Sequence, residues 1–162
     1  MSTADRDSSD PVIINDGRQS ETAAAIQRGV GRMLRGAGFA SICELPLANA
    51  RRADILALGR KGEIWIIEIK SSAADYLSDH KWRDYMDYCD RFYFAIPPCM
   101  DAALIDNTAG LIIADAWGAE IVREADDVRL AGARRKAVTM LIARTAAMRL
   151  QSAADPNADG FL

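Results

Sequence analysis

The run Ile64-Trp65-Ile66-Ile67-Glu68-Ile69-Lys70 constrains this chain more than any other stretch. Nearly continuous apolar, β-branched sequence of this length suits a strand covered on both faces, inside a sheet rather than on its surface. The strand is predicted over residues 63–69. Upstream, residues 53–58 read as another strand, and the polar turn 59–62 carries glycines at both ends, so the two strands form an antiparallel hairpin. Side chains along a strand alternate between faces, which points Glu68 and Lys70 the same way. Closing the hairpin brings Asp54 beside Glu68. Two carboxylates and an ammonium then converge at one end of the sheet.

That grouping has a chemical consequence. Two carboxylates cannot share a small space unless one takes up a proton or a cation sits between them. Mg²⁺ meets the second condition, because it prefers oxygen ligands, is usually held by one or two carboxylates, and keeps several waters. A water so held can attack a phosphodiester. The backbone carbonyl of Ile69 is a further candidate ligand, and Lys70 can orient the water or offset charge on phosphate oxygens. A Glu-x-Lys alone arises by chance in about half of chains this long. Its weight comes from context: an apolar strand that ends in charge, an acid across the hairpin, and Ser71-Ser72 opening a helix.

The surrounding pattern predicts an α/β chain. A first helix is expected over residues 20–36, capped by Ser20, with Ala23, Ile26, Val30, Met33 and Leu34 on its buried stripe. A strand over 39–47 follows, and the hairpin comes next. A helix over 73–89 then presents Trp82, Tyr85, Met86 and Cys89 on one face. Further strands are expected at 92–96, 111–115 and 120–124, a short helical turn at 100–105, and a last helix over 130–150. Residues 1–18 read as a disordered N-terminal tail, 19–150 as one domain, and 151–162 as a flexible C-terminal tail. Helix and strand alternation implies a mixed sheet flanked by helices, with a C-terminal helix beyond it.

Composition removes several function classes. Half the residues are hydrophobic and the formal net charge is −3, so neither general disorder nor a broadly basic coat is expected. The apolar runs are of strand length, far below the roughly 20 residues of a membrane span. Cys43, Cys89 and Cys99 lack the spacing of a zinc site or disulfide framework, and read as free thiols in a reducing compartment. One histidine, His80, makes a two-histidine zinc site impossible.

Asp54 and Glu68-Ile69-Lys70, on a helix, hairpin, strand and helix frame, resemble the PD-(D/E)XK nuclease superfamily, which has the restriction-endonuclease-like fold. The stretch K-S-S-A-A-D-Y-L-S-D-H-K-W-R-D-Y-M-D-Y-C-D-R-F-Y-F-A-I-P-P, residues 70–98, is similar more narrowly to the MmcB family of DNA repair proteins. The resemblance implies that Asp54 and Glu68 bind metal (Mg²⁺ or Mn²⁺) and that Lys70 is the catalytic lysine. Glu21 is the candidate for a helix-borne auxiliary acid, and Lys81 for an added basic group. The proline of the motif's name is replaced here by Ala53. The implied activity is hydrolysis of DNA phosphodiester bonds during repair, on branched or damaged DNA. The alternative is an accessory protein that binds DNA or a repair partner without cutting. A homodimer and a cytoplasmic, nucleoid-associated location in a bacterium follow as expectations.

Phosphate contact needs positive surface near the site. Arg51 and Arg52 precede Asp54. The last helix carries Arg134, Arg135, Lys136, Arg144 and Arg149 with no acidic residue between Leu130 and Ser152. Arg51, Arg52, Arg134, Arg135 and Lys136 are the candidate nucleic-acid contacts.

Overall fold

A computed structural model describes residues 20–157 of the chain. Six strands form one sheet in the order β1 (Ala40–Pro46), β2 (Arg52–Leu58), β3 (Ile64–Ile69), β4 (Arg91–Ile96), β5 (Gly110–Ala114) and β6 (Ala119–Arg123). The first three make an antiparallel meander. β3, β4 and β5 run parallel, and β6 returns antiparallel. This is the mixed α/β sheet that the sequence predicts, with helices on both faces and a C-terminal helix.

Each face has its own core. Helix α1 (Glu21–Gly36) is amphipathic and lays Ile26, Val30 and Leu34 against Ile55, Ile67, Tyr93, Ala95 and Ile112. Ser20 caps it, accepting from the Ala23 amide at 3.1 Å. The other face carries Leu56, Ile66, Phe92, Phe94 and Ile96 under Trp82 and Tyr85. Alternation along β3 assigns Glu68 to this second face, the one shared with Ile64 and Ile66. The Trp82 and Phe92 ring centroids are 5.1 Å apart, and Trp82 is core, as its stripe predicts.

Helix α1 approaches the β5–β6 turn so closely that Gly29 has no room for a side chain. A Cβ there would collide with the carbonyl oxygens of Asp115 and Gly118. Both obstacles are backbone, which cannot rotate away. Gly29→Ala is therefore expected to destabilise by about 3 kcal/mol or more, read as a lowered midpoint in urea unfolding. An unchanged midpoint would contradict this packing of helix on turn.

Two expectations differ from the structure. The helix expected over 73–89 is broken. Helix α2 (Ala73–Ser78) stops at Asp79, and a 3-10 segment covers Trp82–Tyr88. Asp79 takes extended backbone angles, and its side chain accepts from the Lys81 amide at 3.0 Å, a local turn that competes with the helix. Helix α3 (Gly132–Ala154) runs four residues past the expected edge, through Gln151–Ala154. The expected N-terminal tail, residues 1–18, lies outside the described residues, as do residues 158–162 of the C-terminal one. Among the described residues, no helix is long and apolar enough to cross a membrane. Cys43, Cys89 and Cys99 are free thiols.

Candidate active site

The hairpin places the acids as its register dictates. Ile55 faces Ile67 across β2 and β3, so the next step along the ladder sets Asp54 opposite Glu68. The same step on the other side sets Glu44 of β1 opposite Asp54, between the pairs Cys43↔Ile55 and Leu45↔Ala53. Asp54 Oδ2 accepts from the Ile69 amide at 2.8 Å, which holds the carboxylate against the end of β3. Glu68 is 8 % exposed and Lys70 5 % exposed, so both heads lie below the surface.

The charges are unequally satisfied. Lys70 Nζ is 3.9 Å from Glu68 Oε1 but only 2.8 Å from Asp79 Oδ2. The lysine therefore belongs first to Asp79. Asp79 makes this ion pair, and receives the Lys81 amide, at the residue where α2 ends. Tyr85 Oη donates to the Arg52 carbonyl at 2.8 Å and stands 3.5 Å from Glu68 Oε1. A phenol has one hydrogen, and the shorter contact uses it. Among the described residues, buried Glu68 Oε2 has no hydrogen-bond partner.

Electrostatics follow from this imbalance. Burial, and then the Asp54 charge, raises the pKa of Glu68 well above the carboxylate range against the pull of Lys70. Burial and the Glu44 charge raise Asp54, while the Ile69 amide and Lys70 oppose the rise. Asp79 moves the other way: its bonds to Lys70 and the Lys81 amide outweigh burial and hold it low. A buried acid with an orphaned oxygen beside a half-buried one, both resisting ionisation, fits a divalent cation bound by carboxylates and water. Among the described residues, no three His, Cys, Asp or Glu side chains are arranged to hold a metal. The fit is to a two-carboxylate site completed by backbone and solvent.

The other expected residues fall in different places. Ile69 reaches the pair through its amide. Glu21 is exposed in the first turn of α1, the helix that covers the opposite face. Lys81 is exposed, and its amide closes the Asp79 turn. Asp79, Tyr85 and Glu44 are the site neighbours that sequence reasoning passed over. Asp79 carried a signal, standing with Lys81 on the segment after the motif. Glu44 carried none, because its position depends on a β1 backbone with φ 53°.

The basic candidates divide into committed and open groups. Arg51 pairs with Asp84 at 2.9 Å, and Arg52 with Glu44. Arg134 lies over the Tyr88 ring at 4.7 Å. Arg135 forms a two-pronged pair with Asp90, at 2.8 and 2.6 Å, and also donates to the Gly62 carbonyl. Lys136 is exposed. Arg149 donates to the Cys43 and Glu44 carbonyls. Helix α3 buries only Val138 and Ile142, so arginines supply much of its attachment to the body. Asp90 is the main anchor, since it also receives the Ile64 and Leu130 amides. Arg135→Ala is expected to cost about 3 kcal/mol, because it leaves Asp90 buried without its cation. A thermal melt checks this; a shift below about 2 °C would mean that α3 is held by other contacts.

Comparison with known proteins supplies the family. The model for the family "DNA repair protein MmcB-like" matches residues 10–157. A solved structure, the SPO1766 protein of unknown function from Silicibacter pomeroyi, is 45 % identical, with a TM-score of 0.83 over 86 % of this chain and 96 % of that one. A repair endonuclease from Pyrococcus abyssi is 18 % identical over 53 % of this chain and 42 % of that one, with a TM-score of 0.37, too slight a likeness to support an argument. No curated protein matches. The family match spans the whole sheet, the hairpin acids and both helical layers, and this chain belongs to the MmcB-like family of DNA repair proteins.

Proposed function

We propose that this protein hydrolyses DNA phosphodiester bonds in a reaction dependent on Mg²⁺ or Mn²⁺. The buried, unpartnered Glu68 Oε2 beside Asp54 carries the reading. Holding the Glu68 carboxylate under the surface beside a second acid costs stability, and a cation-binding role accounts for the arrangement. Asp54 and Glu68 would hold the ion, with the Ile69 carbonyl as a further ligand. When bound, the ion supplies positive charge at the phosphate and a lowered pKa for water. Lys70 supplies an ammonium against the negative charge that builds on the phosphate oxygens, once Asp79 shares it. Glu21 and Lys81 remain candidate auxiliaries. Arg51, Arg52, Arg134 and Lys136 would meet neighbouring phosphates, while Arg135, committed to Asp90, would hold α3 in place.

The test is a panel of duplex, forked, flapped and single-stranded DNAs with Mg²⁺ or Mn²⁺. Cleavage by the wild type that disappears in Asp54→Ala supports the reading. Equal cleavage by the variant would assign the activity to another site or a contaminant.

One observation favours a non-catalytic reading, a DNA- or partner-binding repair module on the same fold. Lys70 is bound closely to Asp79 rather than presented to a substrate. On this reading the wild type retains DNA in a salt-dependent manner and cuts nothing in either metal, and neutralising Arg134 and Lys136 weakens the retention.

A further inference from the structure

We propose that Trp117 and the arginines of α1 form a contact for single-stranded DNA at the rim of the sheet. The proposal rests on the DNA-processing reading above and deepens it by naming a strand-binding surface. Trp117 is 78 % exposed, an unusual position for an indole with no apolar cover. Its turn is nevertheless well fastened. Asp115 Oδ1 accepts from the Trp117 amide at 2.7 Å and the Gly118 amide at 3.0 Å. The Asp115 amide donates to the Gly118 carbonyl at 3.0 Å. The absent Gly29 side chain lets α1 press directly on that turn. The indole is displayed from a fixed base rather than carried on a loose loop.

The surroundings are cationic. The Arg32 guanidinium carbon lies 5.7 Å from the Trp117 ring centroid. Arg28 and Arg35 stand four residues before and three after Arg32, on the same side of the helix, and all three are exposed. None of them makes an ion pair among the described residues, whereas Arg51, Arg52, Arg83, Arg91 and Arg135 each do. The acid beside the indole, Asp115, is occupied by the two turn amides, which hold its pKa low.

Position links this surface to the hairpin acids. β3, β4 and β5 are parallel, so the turn after β5 leaves the sheet at the same end as Lys70 after β3. Two strand spacings, about 10 Å, separate β3 from β5. The acids lie on the face opposite α1, so a strand engaged at them would reach Trp117 by passing over this shared end of the sheet. An exposed aromatic face next to unpaired guanidinium groups matches single-stranded nucleic acid, whose bases stack and whose phosphates take the cations. A duplex keeps its bases stacked on each other and offers this indole nothing.

The experiment titrates the full chain with fluorescently labelled oligothymidylate at low salt, reading anisotropy and tryptophan emission. Wild type is expected to bind with quenched emission. Trp117→Ala should weaken binding roughly tenfold, and Trp117→Phe should recover part of the loss. Arg32→Ala should weaken binding and flatten its salt dependence. Trp117→Ala should keep the wild-type melting temperature and any Mn²⁺-induced shift. Unchanged affinity in Trp117→Ala, with wild type binding, overturns this proposal and leaves the nuclease reading standing. No binding of oligothymidylate by wild type also overturns this proposal, while the cleavage panel on duplex, forked and flapped DNAs decides the DNA-processing reading separately. Quenching of Trp117 by protein concentration alone would assign the surface to a second copy of the chain and overturn the proposal.

Discussion

Glu68→Gln is expected to make the metal-free protein more stable at pH 8.5 while abolishing its response to divalent cations. Burial and the Asp54 charge raise the folded-state pKa of Glu68 to about 8. An unfolded glutamate titrates near 4.3. A group whose folded pKa is raised contributes stability that is fully present below the unfolded value and lost as pH climbs through the folded one. Glu68 should therefore cost the wild type stability progressively between about pH 4 and pH 8. The glutamine variant does not titrate and should not share the loss. A tenfold change in proton affinity is worth about 1.4 kcal/mol, so the gap at pH 8.5 is of the order of a few kcal/mol. Asp54, raised in the same direction, adds to the slope.

The metal arm reverses the ranking. An ion at a hundredfold excess over its Kd stabilises the folded state by about 2.7 kcal/mol. Mn²⁺ should raise the melting temperature of wild type and leave Glu68→Gln unmoved. The crossing of the two curves is the informative result. A variant that melts below wild type at pH 8.5 without metal would show that Glu68 is not strained by burial. An equal Mn²⁺ shift in both proteins would place cation binding elsewhere.

Lys70→Ala is expected to destabilise by about 3–5 kcal/mol at pH 8.5, since it removes the buried ammonium between buried Glu68 and half-buried Asp79. It faces Asp79 at 2.8 Å and Glu68 at 3.9 Å. The loss should shrink at pH 5.5, where Glu68 carries a proton and no longer needs compensation. The Lys70–Asp79 pair limits the recovery, because Lys70 holds the Asp79 pKa low and the wild type keeps that pair at both pH values. Urea unfolding at the two pH values measures the difference. Any cleavage activity should fall about 100-fold or more, in proportion to the charge Lys70 provides at the phosphate. An equal loss of stability at both pH values would mean that Lys70 acts through packing alone.

Asp54, Glu68 and Lys70 were legible because their placement depends on two local rules. The pleat sends Glu68 and Lys70 to one face, and the short turn at 59–62 sets Asp54 across from Glu68. The α1 stripe and the buried β3 were legible for the same reason: periodicity in sequence maps directly onto faces in space. Helix α2 misled because apolar spacing runs on through residues 82–89 as though Asp79 were inert. In the structure its carboxylate pairs with Lys70 and receives the Lys81 amide at the point where the helix ends.

What the chain determined by itself is the alternation that builds the sheet and converges two acids and a lysine at one end of it. What only the tertiary structure decided is which charges are spent. Arg135 and Lys136 are neighbours with the same formal charge, yet one is locked to Asp90 at 45 residues' separation and the other stands in solvent. Glu68 Oε2 has no partner among the described residues, and Lys70, 3.9 Å from Glu68 Oε1, bonds Asp79 at 2.8 Å instead. Such choices are settled by distances between segments far apart in sequence, where small differences in reach and burial select one partner over another, and residue spacing carries no record of them.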